Sequence, residues 1–164
     1  AKLPRPRPVA NAWRPFLARL EGAVAFRIDG GLPVDPGWFD PVQIEQVLIN
    51  LLKNAHESGS APGDVRLAIV AADGGAEISV ADRGSGLAPA VLEKALLPFY
   101  STKPGGTGLG LTLGREIAEA HGGRLTIAPR PDGGTIVTLW LPLAPKGLDK
   151  TSTESSPTWT DDGG

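Results

Sequence analysis

The chain has 164 residues, enough for one domain with a sizeable core, and carries a net charge of −2. It has no basic block of the kind that binds nucleic acid or an anionic membrane surface, and no apolar run long enough to span a bilayer. It has no cysteine and only two histidines, which excludes disulfides, thiol chemistry and an ordinary histidine-rich metal site. We therefore expect a cytoplasmic domain without nucleic-acid or membrane contacts. We also expect it to be a piece of a longer protein, because the chain contains no methionine.

The first third of the chain predicts a linker, a helix and a strand. Alternating prolines keep residues 1–9 from forming a helix, so we expect an extended linker there. Residues 13–20 show an apolar face at helical spacing, and residues 23–29 alternate as a strand does. A turn-rich stretch follows, with a short strand expected near Val34.

Residues 41–58 show the strongest helical pattern in the chain. One face is apolar and consists of Ile44, Val47, Leu48, Leu51, Leu52 and Ala55. Asn50 and Asn54 lie one turn apart on a different face, together with Gln46 and Glu57. Asparagine is a poor helix former, so the pair needs a reason. Either its amide oxygens face a hard cation such as Mg2+, or the face is simply solvated.

Two strands are predicted next, over residues 65–71 and 76–81, joined by a hairpin turn that begins at Asp73. The second strand ends at Asp82, and Gly84 and Gly86 then allow a sharp turn. The Asp82 carboxylate either accepts a hydrogen bond from an exocyclic amine, such as that of adenine, or belongs to an ordinary turn. This stretch alone favours the ordinary turn.

Residues 87–108 form the least regular part of the core, as is typical of a functional lid. A glycine run at Gly106, Gly108 and Gly110 then leads into a helix. Backbone N–H groups at such a helix start, together with the helix dipole, favour an anion. A phosphate site and a plain glycine-rich loop are therefore equally good interpretations of this run.

This helix has an apolar stripe and a clear end. The stripe consists of Leu109, Leu113, Ile117 and Ala120, and the stop is His121-Gly122-Gly123. Strands are predicted over residues 124–128 and 135–141, with a turn between them and the sheet ending at Pro142. The Ser- and Thr-rich residues 145–164 are expected to be a disordered tail, so that the domain covers residues 10–144.

Four motifs, in this order, resemble those of the catalytic and ATP-binding domain of two-component sensor histidine kinases. They are the N box Asn50-Leu-Leu-Lys-Asn54-Ala, the first glycine box Asp82-Arg-Gly84-Ser-Gly86, the F box Pro98-Phe99-Tyr100 and the second glycine box Gly106-Thr107-Gly108-Leu109-Gly110. Gly134-Thr135 and a strand ending at Pro142 are similar to the closing strand of that family. The sequence around Asn54 and Pro98 is most similar to that of kinases of the nitrogen-regulation type.

The resemblance implies an α/β (α+β) two-layer sandwich, the Bergerat-type ATP-binding fold of the GHKL group. Such a fold has a mixed, mostly antiparallel sheet with helices on one face. The alternating strands and one-sided helices of the sequence agree with it.

The resemblance also implies roles for residues at an adenine-nucleotide site. Asp82 would accept a hydrogen bond from the adenine amino group, with Thr135 supporting that contact through water. Gly84 and Gly86 would line the nucleotide beside it. The amides of the second glycine box would cradle the phosphates, a role for Gly106, Thr107, Gly108, Leu109 and Gly110.

The catalytic residues implied by the resemblance are Asn50, Asn54 and Lys103. Asn54 would coordinate Mg2+, and Asn50 would contact the metal or a phosphate. Lys103, in the lid, would reach a phosphate, where a point charge helps most as negative charge develops.

The implied activity is transfer of the γ-phosphoryl group from Mg-ATP to a histidine. That histidine would lie on a separate dimerisation and phosphoacceptor domain of the same kinase, and the phosphate would pass on to a response regulator receiver domain. The sequence leaves open whether the full-length kinase is membrane-anchored.

Two features depart from the family pattern. Glu57 stands where many members carry a basic residue, and could hold a metal-bound water instead. The chain also shows no helical hairpin with a phosphoacceptor His-Glu pair. His56 precedes Glu57 inside the N-box helix, where we expect it to face solvent, and His121 is expected to stabilise the carbonyl groups at a helix end.

Three alternative functions fit parts of the pattern. A stand-alone serine kinase of the anti-sigma-factor type would be a chain of about this size. A clamp ATPase would need a transducer domain after Pro142, and the polar residues that follow cannot form one. A non-catalytic module could hold nucleotide only to regulate a partner, but the presence of Asn50, Asn54, Asp82 and the glycines weighs against it.

Overall fold

The computed structural model describes residues 4–57, 62–84, 109–131 and 133–143. Seven strands, three α-helices and one 3-10 turn lie within these ranges. In chain order they are β1 (Val9–Asn11), α1 (Trp13–Ala23), β2 (Arg27–Asp29), β3 (Gly37–Phe39), α2 (Pro41–Glu57), the 3-10 turn (Pro62–Asp64), β4 (Arg66–Ala72), β5 (Gly75–Ala81), α3 (Leu109–Ala120), β6 (Arg124–Pro129) and β7 (Thr135–Pro142).

Five of the described strands form one sheet, in the order β2-β4-β5-β7-β6. The β2–β4 pair is parallel, and the other three pairs are antiparallel. Strands β1 and β3 form a separate antiparallel pair. The prediction of a mixed, mostly antiparallel sheet is confirmed.

The hairpin between β4 and β5 turns at Asp73 and Gly74, whose φ angles are 53° and 76°. Positive φ at both central residues matches the twist of the flanking strands, and this conformation favours an Asp-Gly pair. The predicted turn is therefore present. It fixes the register in which Ile69 lies opposite Ile78.

One face of the sheet is buried beneath the helices. Ile69, Ile78 and Leu139 lie side by side on three neighbouring strands, and each is at most 1% exposed. The next residue along each strand points to the opposite face, where Ser79 and Thr138 are only half-buried. Helix α2 packs on β5 and on α3, and α3 packs on β6. The two-layer arrangement with helices on one face is confirmed.

Helix α1 covers one end of the core with an aromatic cluster. The rings of Trp13 and Phe16 pack against Phe39 of β3, with centroid distances of 5.5 and 5.0 Å. Leu17 and Leu20 complete the buried face of α1, as its periodicity predicts. Helix α2 likewise buries every residue of its predicted apolar face, and Gln43 in addition.

Two strand predictions are wrong in part. The strand expected over residues 23–29 begins only at Arg27, because α1 runs to Ala23 and the Val24 N–H donates to the Leu20 carbonyl at 3.1 Å. The strand expected near Val34 lies at Gly37–Phe39 instead. Val34 itself is fully exposed.

Helix α3 ends where its sequence predicts, but its buried face is rotated. Gly122 has a φ of 80°, its N–H donates to the Glu119 carbonyl, and the Gly123 N–H donates to the Ala118 carbonyl. This is a Schellman stop, which a glycine in the left-handed region makes favourable. Ala120 was expected on the apolar stripe and is exposed, whereas Ala118 is buried beside Ile117.

His56 does not face solvent as expected. It is half-buried, and its ring Nε2 lies 2.7 Å from the Ala25 carbonyl oxygen, which can only accept a hydrogen bond. The Nε2–H group therefore donates, and it ties the last turn of α2 to the connection between α1 and β2. This hydrogen bond gives His56 a structural role.

The proline-rich segment before α1 is bonded to the domain. The amide of the buried Gln43 donates to the Pro4 carbonyl at 2.8 Å, and the Arg7 N–H donates to Asp40 Oδ2 at 3.0 Å. Strand β1 then pairs with β3, where Asn11 Nδ2 also donates to the Phe39 carbonyl. Residues 4–11 are thus held along the start of α2. Their role as a linker to another domain stays a prediction.

Candidate functional site

Asp82 follows the last residue of β5 and is 7% exposed. Its Oδ1 accepts hydrogen bonds from the Gly84 N–H at 2.8 Å and the Thr135 N–H at 3.2 Å. Within the described ranges no donor reaches Oδ2. A buried carboxylate normally has its oxygens satisfied. Among the described residues, Asp82 is therefore held through Oδ1 alone.

The main chain of Asp82 is fixed by the neighbouring strand β7 and by the connection that precedes it. Its N–H donates to the Thr135 carbonyl at 2.9 Å, which continues the β5–β7 pairing by one residue. Its carbonyl oxygen accepts a hydrogen bond from Arg130 Nη1, also at 2.9 Å. The N–H, the carbonyl and the carboxylate of Asp82 are thus all set by the β6–β7 connection and the first residue of β7.

Gly134 lets the start of β7 lie close to the main chain of Asp82. Its φ is 100°, in a region that residues with a side chain rarely adopt. A Cβ at this position would lie 2.1 Å from the Asp82 carbonyl oxygen and 2.7 Å from the Arg83 Cα. Only glycine allows β7 to begin beside Asp82. The same closeness places the Thr135 N–H on the carboxylate.

Asn50 and Asn54 lie on a half-buried strip of α2. At about 100° per residue, both lie within about 60° of the direction of Val47 around the helix axis. Val47 faces α3, since its Cγ1 would be 3.3 Å from a Cβ at Gly114. The asparagine pair therefore lies on the side of α2 that is turned towards α3, and Gln46 and Glu57 are exposed.

Helices α2 and α3 run antiparallel. The end of α3 meets the start of α2, where the Asp40 N–H donates to His121 Nε2 at 3.1 Å. Seven residues further into each helix, Val47 meets Gly114. At the same pitch, Leu109 at the start of α3 is roughly level with Leu52 of α2. The first turn of α3, directly after the glycine run, is thus brought beside the stretch of α2 between Asn50 and Asn54.

The junction that holds the two helices is built on Asp40 and His121. Asp40 Oδ1 accepts the Val42 and Gln43 N–H groups and so caps α2. Burial raises the pKa of Asp40, but the hydrogen bonds from the Arg7, Gln43 and Val42 N–H groups, together with the nearby His121 ring, outweigh it, so that the pKa lies below its usual value of 3.8. His121 Nδ1 lies 2.8 Å from the Ile117 carbonyl, to which it donates. The predicted contact with the helix-end carbonyl groups is present.

Several predicted site residues lie outside the described residues: Gly86, Lys103, Gly106, Thr107 and Gly108. Leu109 and Gly110 form the first turn of α3. The structure does bring Asp82, Gly84 and Thr135 together through hydrogen bonds. The nucleotide and metal roles of all these residues stay predictions.

Sequence reasoning missed two residues of this cluster as site residues, Gly134 and Arg130. Consecutive glycines directly before Thr135 are a signal that could have identified Gly134, since such a pair favours positive φ and close approach. Nothing in the sequence around Arg130 indicates its contact with Asp82. Among the described residues, no group of three His, Cys, Asp or Glu side chains could hold a metal ion. No described helix is long and apolar enough to cross a membrane.

Comparisons with known proteins agree with this geometry. The profile of the family described as histidine kinase-, DNA gyrase B- and HSP90-like ATPases matches residues 39–145. The chain is 41% identical over 146 residues to the C4-dicarboxylate transport sensor protein DctS of Rhodobacter capsulatus, covering 85% of this chain and 20% of that protein. It is 38% identical over 104 residues to the sensor histidine kinase ZraS of Escherichia coli, covering 63% of this chain and 22% of that protein.

Solved structures show the same fold. The catalytic domain of histidine kinase ThkA superposes with a TM-score of 0.70 at 25% identity, covering 84% of this chain and 96% of that one. Full-length ShkA in complex with AMPPNP gives a TM-score of 0.72 at 24% identity, covering 88% of this chain and 33% of that one. The chain thus spans about a fifth of the two curated relatives and nearly all of an isolated catalytic domain.

Proposed function

The chain belongs to the family of histidine kinase-, DNA gyrase B- and HSP90-like ATPases, and on that premise we propose that it binds Mg-ATP and transfers the γ-phosphoryl group to a histidine on another domain. The observation that carries the proposal is the buried Asp82 carboxylate, held through one oxygen by two backbone N–H groups. Further support comes from two relatives, of which one is named a sensor protein and the other a sensor histidine kinase.

Asp82 would select adenine. Its Oδ2, which no described donor reaches, can accept a hydrogen bond from the exocyclic amine. Guanine carries a carbonyl oxygen at the same ring position, and a carboxylate would repel it. The two backbone donors on Oδ1 keep the carboxylate oriented, because each N–H bond fixes the position of that oxygen.

The phosphates would lie at the start of α3. The first turn of a helix carries N–H groups without intrahelical partners and a partial positive charge, which suits phosphate oxygens. The residues that we propose for this part of the site are Lys103, Gly106, Thr107, Gly108, Leu109 and Gly110.

The start of α3 is roughly level with the asparagine pair of α2. Amide oxygens are the type of ligand that Mg2+ accepts, so Asn50 and Asn54 fit a metal beside the phosphates. Bound there, Mg2+ would neutralise phosphate charge.

The transfer itself depends on a partner. Phosphoryl transfer is catalysed mainly by positioning and electrostatics, and the acceptor must be brought in line with the γ-phosphate. We propose that the acceptor histidine lies on the dimerisation domain of the same kinase, and that a response regulator receiver domain takes the phosphate from it. Supplied alone with ATP, this chain should hydrolyse it slowly.

Calorimetry with ADP and a non-hydrolysable ATP analogue, with and without Mg2+, tests the binding step. The unchanged chain should bind both nucleotides. Asp82→Asn should weaken ADP binding on the order of ten- to a hundred-fold, because it replaces the charged acceptor with an amide. Asp29→Asn removes the same charge at an exposed position of β2 and should leave the affinity unchanged. Absence of nucleotide binding in the unchanged chain would refute the proposal.

Asn54 is tested by transfer to a supplied acceptor domain. The unchanged chain should label that domain with an acid-labile phosphate, as expected of phosphohistidine, and Asn54→Ala should slow the labelling about a hundred-fold or more, since positioning and electrostatics carry the rate. Gln46→Ala removes an exposed amide from the same helix and serves as the matched control. An acid-stable product would instead indicate a serine kinase. Unchanged labelling by Asn54→Ala would exclude a catalytic role for this residue.

A further inference from the structure

We propose that Arg130 is a positioning residue for base recognition: it anchors the main chain of Asp82 so that the carboxylate is held where an exocyclic amine can reach it. The inference rests on the proposed function, since it assumes that Asp82 meets adenine. It adds a residue of the β6–β7 connection to a site whose other members come from the motifs of the sequence.

The contact between Arg130 and Asp82 is specific. Arg130 directly follows β6, is half-buried, and donates from Nη1 to the Asp82 carbonyl oxygen at 2.9 Å. The two residues are 48 positions apart. The main chain of Arg130 is itself fixed, because its N–H donates to the Gly134 carbonyl at 3.0 Å and its carbonyl accepts the Gly133 N–H at 3.1 Å. The guanidinium therefore projects from a closed turn.

Three hydrogen bonds from the β6–β7 connection and the first residue of β7 converge on Asp82. Arg130 holds the carbonyl, the Thr135 carbonyl holds the N–H, and the Thr135 N–H holds Oδ1. Gly134 makes room for them, since a Cβ there would meet the carbonyl that Arg130 binds. A hydrogen bond from a charged donor is stronger than a neutral one. Removing it would weaken the hold on the peptide group after Asp82.

Rotation of that peptide group would affect the carboxylate. The bond from the Gly84 N–H to Oδ1 closes a short loop that includes the peptide group between Asp82 and Arg83. If the peptide group turns, the Gly84 N–H leaves Oδ1 and the carboxylate loses one of its two anchors. The loss falls on the base contact alone, because phosphate recognition depends on other elements. This selective effect distinguishes Arg130 from a residue that only stabilises the fold, whose loss would weaken the binding of every nucleotide.

A comparison of two nucleotides gives a measurement that a purely structural role would not change. Inosine diphosphate has the sugar and phosphates of ADP but an oxygen in place of the exocyclic amine. The ratio of its dissociation constant to that of ADP therefore measures the base contact. Any effect of the Arg130 charge on the phosphates cancels in this ratio, as does a general loss of folded protein.

The experiment is calorimetry with both nucleotides on the whole chain and three variants. Arg130→Met removes the donor, and the preference for ADP should fall about three- to ten-fold while inosine diphosphate binding changes little. Arg130→Lys keeps a charged donor and should restore part of the preference. Arg19→Met removes an exposed arginine of α1 that pairs with Glu45 of α2, and should leave the preference unchanged.

Each outcome bears on a distinct proposal. An unchanged chain that binds neither nucleotide refutes the proposed function and this inference with it. An unchanged chain that binds both equally refutes the proposed base contact, and with it this inference. If the unchanged chain prefers ADP and Asp82→Asn abolishes that preference, the proposed base contact stands. In that case, an unaltered preference in both Arg130 variants, or an equal loss for both nucleotides, overturns the inference about Arg130 alone.

Discussion

Gly134 is the most constrained backbone position of the candidate site. A side chain would be strained by its φ of 100° and would also place a Cβ 2.1 Å from the Asp82 carbonyl oxygen. Backbone strain of this kind costs about 1–3 kcal/mol, and the contact adds to it because backbone must move. We expect Gly134→Ala to lower the free energy of unfolding by about 3 kcal/mol or more and to weaken ADP binding. Urea denaturation and calorimetry measure the two effects.

Gly133 provides the matched control for that prediction. Its φ is 96°, close to that of Gly134, but a Cβ there has nothing within 4 Å. Gly133→Ala should therefore carry the backbone strain alone, about 1–2 kcal/mol, and retain the affinity for ADP. Equal losses of affinity in both variants would contradict the view that the close approach to Asp82 matters for binding.

Some residues of the candidate site can be identified from the sequence, and others cannot. Asp82 and Thr135 could be identified because they stand in recognisable motifs, and the structure joins them by one backbone hydrogen bond and one to the carboxylate. Arg130 could not, because its partner is 48 positions away and a lone arginine before a turn usually faces solvent. Long-range hydrogen bonds of side chains leave no periodic pattern in a sequence.

Whole elements could be predicted where a pattern repeats over several turns or residues. Helix α2 and the β4–β5 hairpin follow their apolar spacing and turn residues closely. Strand β3 was misplaced because it is three residues long and depends on pairing with β1, a non-local contact. Ala120 was misassigned because alanine suits both faces of a helix. The alternation after Ala23 predicts one long strand because nothing in it marks where α1 ends.

At the scale of the whole molecule, Asp40 joins three parts of the chain that are distant in sequence. Its Oδ2 accepts the Arg7 N–H of the N-terminal segment, and its Oδ1 caps α2. Its own N–H donates to His121, which is 81 positions away at the end of α3. Since α2 carries the asparagine pair and α3 starts directly after the glycine run, this junction sets how the two helices of the site are aligned.

The junction predicts a dependence of stability on pH. The pKa of Asp40 is lowered in the folded chain, chiefly by the backbone N–H groups that outweigh its burial. A carboxyl whose pKa is lower when folded contributes stability above its unfolded pKa, near 3.8, and that contribution is lost as the pH falls through the folded pKa. Asp40→Asn keeps an oxygen for the cap but cannot ionise. The stability difference between the unchanged chain and Asp40→Asn should be constant from neutral pH to about pH 5 and shrink below about pH 4.

Asp40→Ala separates the cap from the charge. It removes both oxygens, so we expect a loss of about 1 kcal/mol in the free energy of unfolding at neutral pH, typical of an N-cap, and more than the loss in Asp40→Asn. Urea denaturation of the three chains between pH 3 and pH 7 measures both effects. Asp40→Ala keeps the main-chain N–H that bonds His121, so this variant tests the cap on α2 and not the contact with α3. Equal stability of all three chains at neutral pH would show that the Asp40 side chain does not cap α2.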